Sequence, residues 1–234
     1  KKYREEKAEY LLEGFHLIEE AASSDAEIKE LFVTQRGMKE WGDWLAVNKE
    51  ISTFLVSDEV MTAMSDLPTP QGILAVMTLT SEDTPDFSGG WLLLDNVQDP
   101  GNVGTMIRTA DAFGMAGVLL GKGTADIYST KVLRSMQGSN YHLPVLQKDL
   151  ADVIPVMKGK GFTVYGTELN EEAHALDKVE KTEDFAIIMG NEGQGVSQEI
   201  LSLTDQNVYI PMKGNAESLN VGVAAGIVLY HFSL

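Results

Sequence analysis

The sequence predicts an α/β protein in two layered domains, the second built on a parallel sheet. Three observations carry that reading. Strand-like and helix-like segments alternate along almost the whole chain, the pattern of layered α/β architectures. Several strands are near-continuous apolar runs, such as Trp91–Leu94 and Ala186–Met189, which suits parallel strands covered on both faces. One stretch, Thr80–Gly90, has no periodicity and is rich in turn formers. The expected domains are therefore residues 1–80 and 91–234, with a linker at 81–90.

In the first domain Tyr10–Leu12 is a short apolar run, and Phe15–Ala22 carries apolar residues at helical spacing. Leu31–Thr34 reads as a strand. Met38–Val47 reads as one amphipathic helix with Trp41, Trp44 and Leu45 on its buried side. Thr53–Val56 is a strand, after which Ser57 caps a helix over Asp58–Ser65, with Asp58 and Glu59 suited to its first turn. Gly72–Leu79 is a longer β-rich run.

The second domain opens with a strand at Trp91–Val97, followed by a helix at Val103–Phe113, a strand at Val118–Gly121 and a helix at Thr130–Gln137. A strand at Pro144–Leu146 and a helix at Leu150–Lys158 come next. Thr163–Thr167 and Phe185–Met189 are buried strands, and Ser197–Leu203 is a short helix. The β-branched run ending at Pro211 then leads through a polar loop into an apolar helix, Val221–Leu229, rich in Gly and Ala. Gly222, Ala224, Ala225 and Gly226 allow another backbone to approach that helix closely.

Composition excludes several function classes. The chain has 234 residues, 18 basic and 35 acidic side chains and a formal charge of −17. Residues 1–80 hold 8 basic and 15 acidic residues, so neither half is basic. A generic nucleic-acid binder normally has a basic surface, so any RNA contact must come from a local cationic cluster. With no cysteine, disulfides, thiolate zinc sites and cysteine nucleophiles are excluded. No run reaches the roughly 18 apolar residues of a membrane span, and the first residues are polar with no secretory pattern. A cytoplasmic protein is expected, with no membrane and no metal partner. His16, His142, His174 and His231 are scattered and read as core or solvated side chains, and Trp41 and Trp44 as core.

Three loops look like parts of one site. The first, Asp95 to Arg108, leaves a strand and enters a helix, where open α/β sheets usually bind ligands. Pro100–Gly101 makes a turn, Asn102 is suited to cap the helix, and Arg108 projects from its second turn with a fork that grips phosphate. The spacing of Gly101 and Gly104 is not that of a dinucleotide fingerprint. The second loop, Met189 to Ser197, places Gly190, Gly193 and Gly195 after a buried strand, with Asn191 and Glu192 inserted. It has no Gly–Lys–Ser/Thr ending and so is not a P-loop. The third runs from Val208 through Lys213, Asn215, Ser218 and Asn220. A helix cap explains one of those polar residues and leaves the others over.

In order and spacing these loops resemble the three signature motifs of the SpoU/TrmH family of RNA ribose 2′-O-methyltransferases, within the SPOUT superfamily. The resemblance covers residues 91–234, and Lys131 to Pro144 has its counterpart between the first two motifs. Residues 1–80 resemble the small ribosomal-protein-like RNA-binding domain that precedes the catalytic domain in many relatives, through Phe15–Ala21 and Pro70–Ala75. The resemblance implies a deep trefoil knot at the C-terminus, which topology rules alone would reject. It implies a homodimer served by the small-residue helix, with S-adenosylmethionine held by Gly190, Ile210 and Leu219, and by Thr167. It assigns Arg108 to activation of the ribose hydroxyl, Asn102, Ser218 and Asn220 to orienting Arg108 and the ribose, and Glu192 to shaping the site. The implied reaction is attack of a ribose 2′-oxygen on the methyl carbon. A guanidinium is a poor free base because it stays protonated, so a milder role for Arg108 is to hold phosphate and ribose while the proton leaves through phosphate or water. The cationic cluster for RNA is read as Arg108, Lys131, Arg134 and Lys213, the middle two lying one helical turn apart. Ribosomal RNA is the expected substrate. The alternatives are a tRNA 2′-O-methyltransferase, a non-catalytic knotted RNA-binding homologue, and a nicotinamide or phosphate-ester enzyme on a doubly wound sheet.

Overall fold

A computed structural model describes residues 2–79 and 85–234, and its strands form two separate sheets. They belong to two units, Lys1–Ser81 and Glu82–Leu234. In the first unit α1 (Lys2–Lys7), β1 (Glu9–Glu13), α2 (Phe15–Ala22), β2 (Ile28–Val33), α3 (Gln35–Glu40), α4 (Gly42–Val47), β3 (Ser52–Leu55), α5 (Asp58–Met64) and β4 (Ile73–Thr78) follow in order. The sheet order is β1-β4-β2-β3, with β4 antiparallel to both neighbours and β3 parallel to β2. Alternation decides which face is covered: Tyr10 and Leu12 of β1 are buried, while Leu11 between them is exposed. Leu31, Val33, Ile73, Ala75 and Met77 join Leu12, Ile18 and Ala21 in this unit's core.

The expected single helix at Met38–Val47 is two helices. Trp41, at φ −122° and ψ 23°, leaves helical geometry between α3 and α4. Its ring stacks on Phe15 at 5.0 Å between centroids, and Trp44 meets the same ring edge-on at 5.5 Å. Aromatic packing on α2 thus outweighs helix continuity, and both indoles are half-buried, not fully enclosed.

The second unit contains β5 (Gly90–Leu94), α6 (Pro100–Ala112), β6 (Gly117–Leu120), α7 (Thr130–Met136), β7 (Val145–Gln147), α8 (Leu150–Gly159), β8 (Thr163–Thr167), β9 (His174–Ala175), β10 (Phe185–Met189), α9 (Gln198–Leu201), β11 (Gln206–Tyr209) and α10 (Val221–Ser233). All seven strands are parallel, in the order β7-β6-β5-β10-β8-β11-β9. Every residue of β6 and β10 is buried, as both-face coverage requires. One side packs Trp91, Leu93, Ile188 and Val164 against Ile154, Met157 and Ile200. On the other, Phe232 of α10 meets Tyr165 and Phe185, each at 4.9 Å between ring centroids. A Cβ at Gly104 would lie 2.4 Å from Ser135 Cβ and 2.8 Å from the Val132 carbonyl, so α7 rests directly on the backbone of α6. The partner expected for the small-residue helix is also α6: Gly222 faces Thr105 and Gly226 faces Thr109.

Of the stretch read as linker, residues 80–84 lie outside the described residues. Beyond them Phe87 is only 6 % exposed, packed edge-on against Trp91 and Phe162, and the Gly89 N–H donates to Asp184. Asp86–Gly90 therefore packs with the second unit. The two-residue β9 carries no periodic signal and was not anticipated.

Candidate active site

Four strands that lie side by side, β5, β10, β8 and β11, run in the same direction. The loops that leave their C-terminal ends must therefore emerge together, the place where open parallel sheets bind ligands. This is how three loops far apart in sequence converge.

The loop after β5 is fastened by Asp95 and Asn96. Asp95, 8 % exposed, accepts the Ser197 N–H at 2.7 Å. Asn96 sits at φ 55°, and its carbonyl accepts Asn191 Nδ2 at 2.9 Å. Helix α6 starts earlier than the sequence indicated. Asp99, not Asn102, is its N-cap: Asp99 Oδ1 accepts the Asn102 N–H at 2.9 Å and Pro100 occupies the first helical turn. The signal was present as an Asp before a Pro. That hydrogen bond holds the Asp99 carboxyl below its ordinary value; burial opposes the shift and the Lys131 ammonium, 3.2 Å away, assists it.

Relieved of capping, the Asn102 side chain bridges the other two loops. Its Nδ2 donates to Glu192 Oε1 at 3.1 Å, and its Oδ1 accepts Asn220 Nδ2 at 3.1 Å. Glu192 also accepts the backbone N–H groups of Gln98 at 3.1 Å and Asp99 at 3.0 Å. Burial alone would raise the Glu192 pKa, but the hydrogen bonds from Asn102 and from the backbone outweigh it and hold it below the usual value. Asn220 is the cap of α10, accepting from Gly222 and Val223, while its amide nitrogen reaches Asn102. The capping reading of Asn220 therefore holds, and the same side chain also reaches Asn102.

The second loop closes on itself through paired Asn191 and Gly195 hydrogen bonds, each 2.9 Å. Asn191 Oδ1 accepts from Gly193 and Gln194. Gly195 takes φ +71°, a conformation that favours glycine. A Cβ at Gly190 would fall 2.1 Å from the Gly195 carbonyl carbon and the Val196 nitrogen, so only glycine fits beneath the fold-back.

Between these loops lies a cavity of about 350 Å³. Thr167, Gly190, Ile210 and Leu219, the four residues the resemblance assigned to the cofactor, all line it, as do Glu192 and Ser218. The Thr167 hydroxyl is already committed to the Ile188 carbonyl at 2.8 Å. Asn102, Arg108, Asn220, Lys131, Arg134 and Lys213 do not line the cavity. Arg108 is exposed on α6, about 9 Å along the helix axis from Asn102. Among the described residues its side chain makes no hydrogen bond or ion pair. Arg134 is exposed in the last turn of α7, and Lys213 is exposed in the third loop. Of the four cations read as an RNA patch, Lys131 is paired with Asp99, which neutralises part of its charge.

The cavity's size falls in the range of about 300–1,000 Å³ typical of small-molecule sites. Met189, Val208, Val221 and Val228 give it an apolar wall suited to a flat base. From Pro211 to Leu219, among the described residues, no backbone or side-chain group is engaged in a hydrogen bond within the protein. That loop offers donors and acceptors to a ligand with both an apolar ring and polar edges, a description that S-adenosylmethionine meets. Sequence reasoning missed Asn191 as the fastener of the second loop, and Glu168, Met212 and Glu217 in the lining. None of these stands at a spacing that marks it. Among the described residues no group of three or more His, Asp or Glu could hold a metal ion.

Comparison with known proteins bears on the same residues. Residues 91–230 match the profile of the SpoU rRNA Methylase family, and residues 1–75 match an MRM3-like substrate binding domain. The 23S rRNA (guanosine(2553)-2′-O)-methyltransferase RlmP of Bacillus subtilis is 43% identical over 99% of this chain and 91% of its own. Among solved structures, the SpoU methyltransferase AviRb of Streptomyces viridochromogenes in complex with AdoMet superposes with a TM-score of 0.88 at 26% identity, covering 100% of this chain and 92% of that one. An AdoMet-bound rRNA methyltransferase from Sinorhizobium meliloti gives 0.85 at 28% identity, covering 98% and 88%.

Proposed function

This chain belongs to the SpoU rRNA methylase family, and from that premise we infer that it transfers a methyl group from S-adenosylmethionine to a ribose 2′-hydroxyl of RNA. The observation that carries the reading is the Glu192–Asn102–Asn220 bridge, which ties three separate loops around a cavity lined by Thr167, Gly190, Ile210 and Leu219. Ribosomal RNA is the substrate class, supported by the RlmP relative, whose name specifies 23S rRNA, and by the substrate-binding domain over residues 1–75.

The cofactor supplies an electrophilic methyl carbon. The protein's own part is binding, orientation and proton handling. Backbone groups at Gly190, Ile210 and Leu219 would hold the cofactor, and the apolar wall would keep water from it. Thr167 contributes through its backbone, because its hydroxyl is spent on Ile188. Arg108 grips the RNA phosphate beside the target ribose with two parallel N–H donors. Its guanidinium stays charged, so the hydroxyl proton passes to phosphate or water and not to Arg108. Asn102, Ser218 and Asn220 orient the ribose, and Glu192 keeps Asn102 in place. Arg134 and Lys213 supply further phosphate contacts, with Lys131 in part.

The C-terminal segment is read as a trefoil knot, a proposal supported by the likeness to SpoU methyltransferases. The active form is read as a homodimer. Val223, Ile227 and Tyr230 form an exposed apolar stripe along α10, spaced as one helical face, which supports pairing through that helix. A cytoplasmic location accords with an RNA substrate. Transfer of tritium from labelled S-adenosylmethionine to unmodified ribosomal RNA tests the function. Label in ribosomal RNA but not in transfer RNA is expected, and label in transfer RNA alone would contradict the substrate class.

A further inference from the structure

The lining of the cavity contains three carboxylates, Glu168, Glu192 and Glu217, and no lysine, arginine or histidine. Glu192 is fully engaged in holding the loops together. The other two are not. Glu168 is half-buried and lends one oxygen to Asn170 Nδ2 at 2.7 Å, while Glu217 is exposed and unpaired among the described residues. Neither has a part in the fastening of the loops, and neither faces a cation in the lining.

This bears on the charge of what binds there, and it rests on the reading of the cavity as the S-adenosylmethionine site. At neutral pH that molecule carries a sulfonium, an ammonium and a carboxylate, a net single positive charge. In the reaction the sulfur–methyl bond breaks and its electron pair stays on sulfur. The methyl carbon bonds to the ribose oxygen and the hydroxyl proton leaves to water. The product left in the cavity is a thioether with ammonium and carboxylate alone, and is neutral overall. We propose that Glu168 and Glu217 are specificity-determining residues that make the pocket favour the sulfonium-bearing donor over its demethylated product. Turnover then discharges the ligand inside a lining whose only charged side chains are carboxylates, and the attraction that loaded the donor no longer retains the product. Both carboxylates are partly solvated, so each contributes a modest and salt-sensitive effect.

The test is calorimetric titration of the whole protein with S-adenosylmethionine and, separately, with S-adenosylhomocysteine, at low and high salt. The wild type is expected to prefer the donor, and the preference should shrink as salt rises. Glu168→Gln and Glu217→Gln should each weaken donor binding by about two- to fivefold, and the double variant by more, with product binding nearly unchanged. A parallel loss for both ligands would overturn the proposal, because the carboxylates would then be reading the shared ammonium. An unchanged ratio in the double variant, or a salt-independent ratio in the wild type, would overturn it too. If the wild type bound neither ligand, the cofactor reading itself would fall along with this one.

Discussion

In the proposed mechanism Glu192 is a residue tied down by hydrogen bonds, and Arg108 one whose side chain makes none among the described residues. Because hydrogen bonds hold the Glu192 pKa below its ordinary value of 4.5, its contribution to stability is present above that value. It is lost as pH falls through the lower folded-state value. The thermal midpoint of wild type minus that of Glu192→Gln should be largest at neutral pH and vanish in acid; a difference that persists in acid would exclude the carboxylate as its source. Arg108 lies outside the cavity lining and, among the described residues, its side chain has no hydrogen-bond or ion-pair partner. Arg108→Ala should therefore abolish methyl transfer while leaving S-adenosylmethionine affinity within about twofold, and retained turnover would remove Arg108 from the mechanism. Gly190→Ala drives a methyl group into the Gly195–Val196 backbone, a clash costing about 3 kcal/mol. It should lower the thermal midpoint and eliminate cofactor binding, as read by calorimetry. Most of these side chains were legible in the sequence because glycine and amide residues clustered after apolar runs. The assignment of Asn102 as a cap failed because the helix begins three residues earlier, where Asp99 accepts the Asn102 N–H.

At the scale of elements, the strands read best. Runs such as Phe185–Met189 are apolar throughout because both faces are covered, and no competing pattern fits them. Helix ends read less well, since caps and packing override periodicity there. The break at Trp41 follows from contact with Phe15, which lies in another element and leaves no local mark. Helix α10, expected from the resemblance to serve both a dimer and a knot, has one buried and one exposed face. Gly222, Ala225 and Phe232 face inward, while Val223, Ile227 and Tyr230 are exposed. If that outer face pairs two chains, Ile227→Glu should shift the protein from dimer to monomer in light scattering, with its helical content retained. An unchanged dimer mass would place the interface elsewhere.

For the whole molecule, charge and topology pull the reading in different directions. A chain at −17 does not announce an RNA enzyme, and composition alone would have argued against one. The exposed lysines and arginines are spread along the chain, and of the four read as an RNA patch one, Lys131, is shared with Asp99. RNA affinity should accordingly fall steeply with salt but with the slope of only a few phosphate contacts. Loop composition suggested one shared site, but how the three distant loops meet depends on strand order, which is set by long-range pairing that periodicity does not encode. A threaded C-terminus, as proposed, would belong to the same class of feature. The account stands or falls on where the methyl group goes, which ribose-methylation mapping of total RNA from cells with and without the protein reads directly. It predicts one or more 2′-O-methyl marks in ribosomal RNA that disappear when the protein is removed. An unchanged ribose-methylation map, or a lost mark that proves to be on a base, would contradict it.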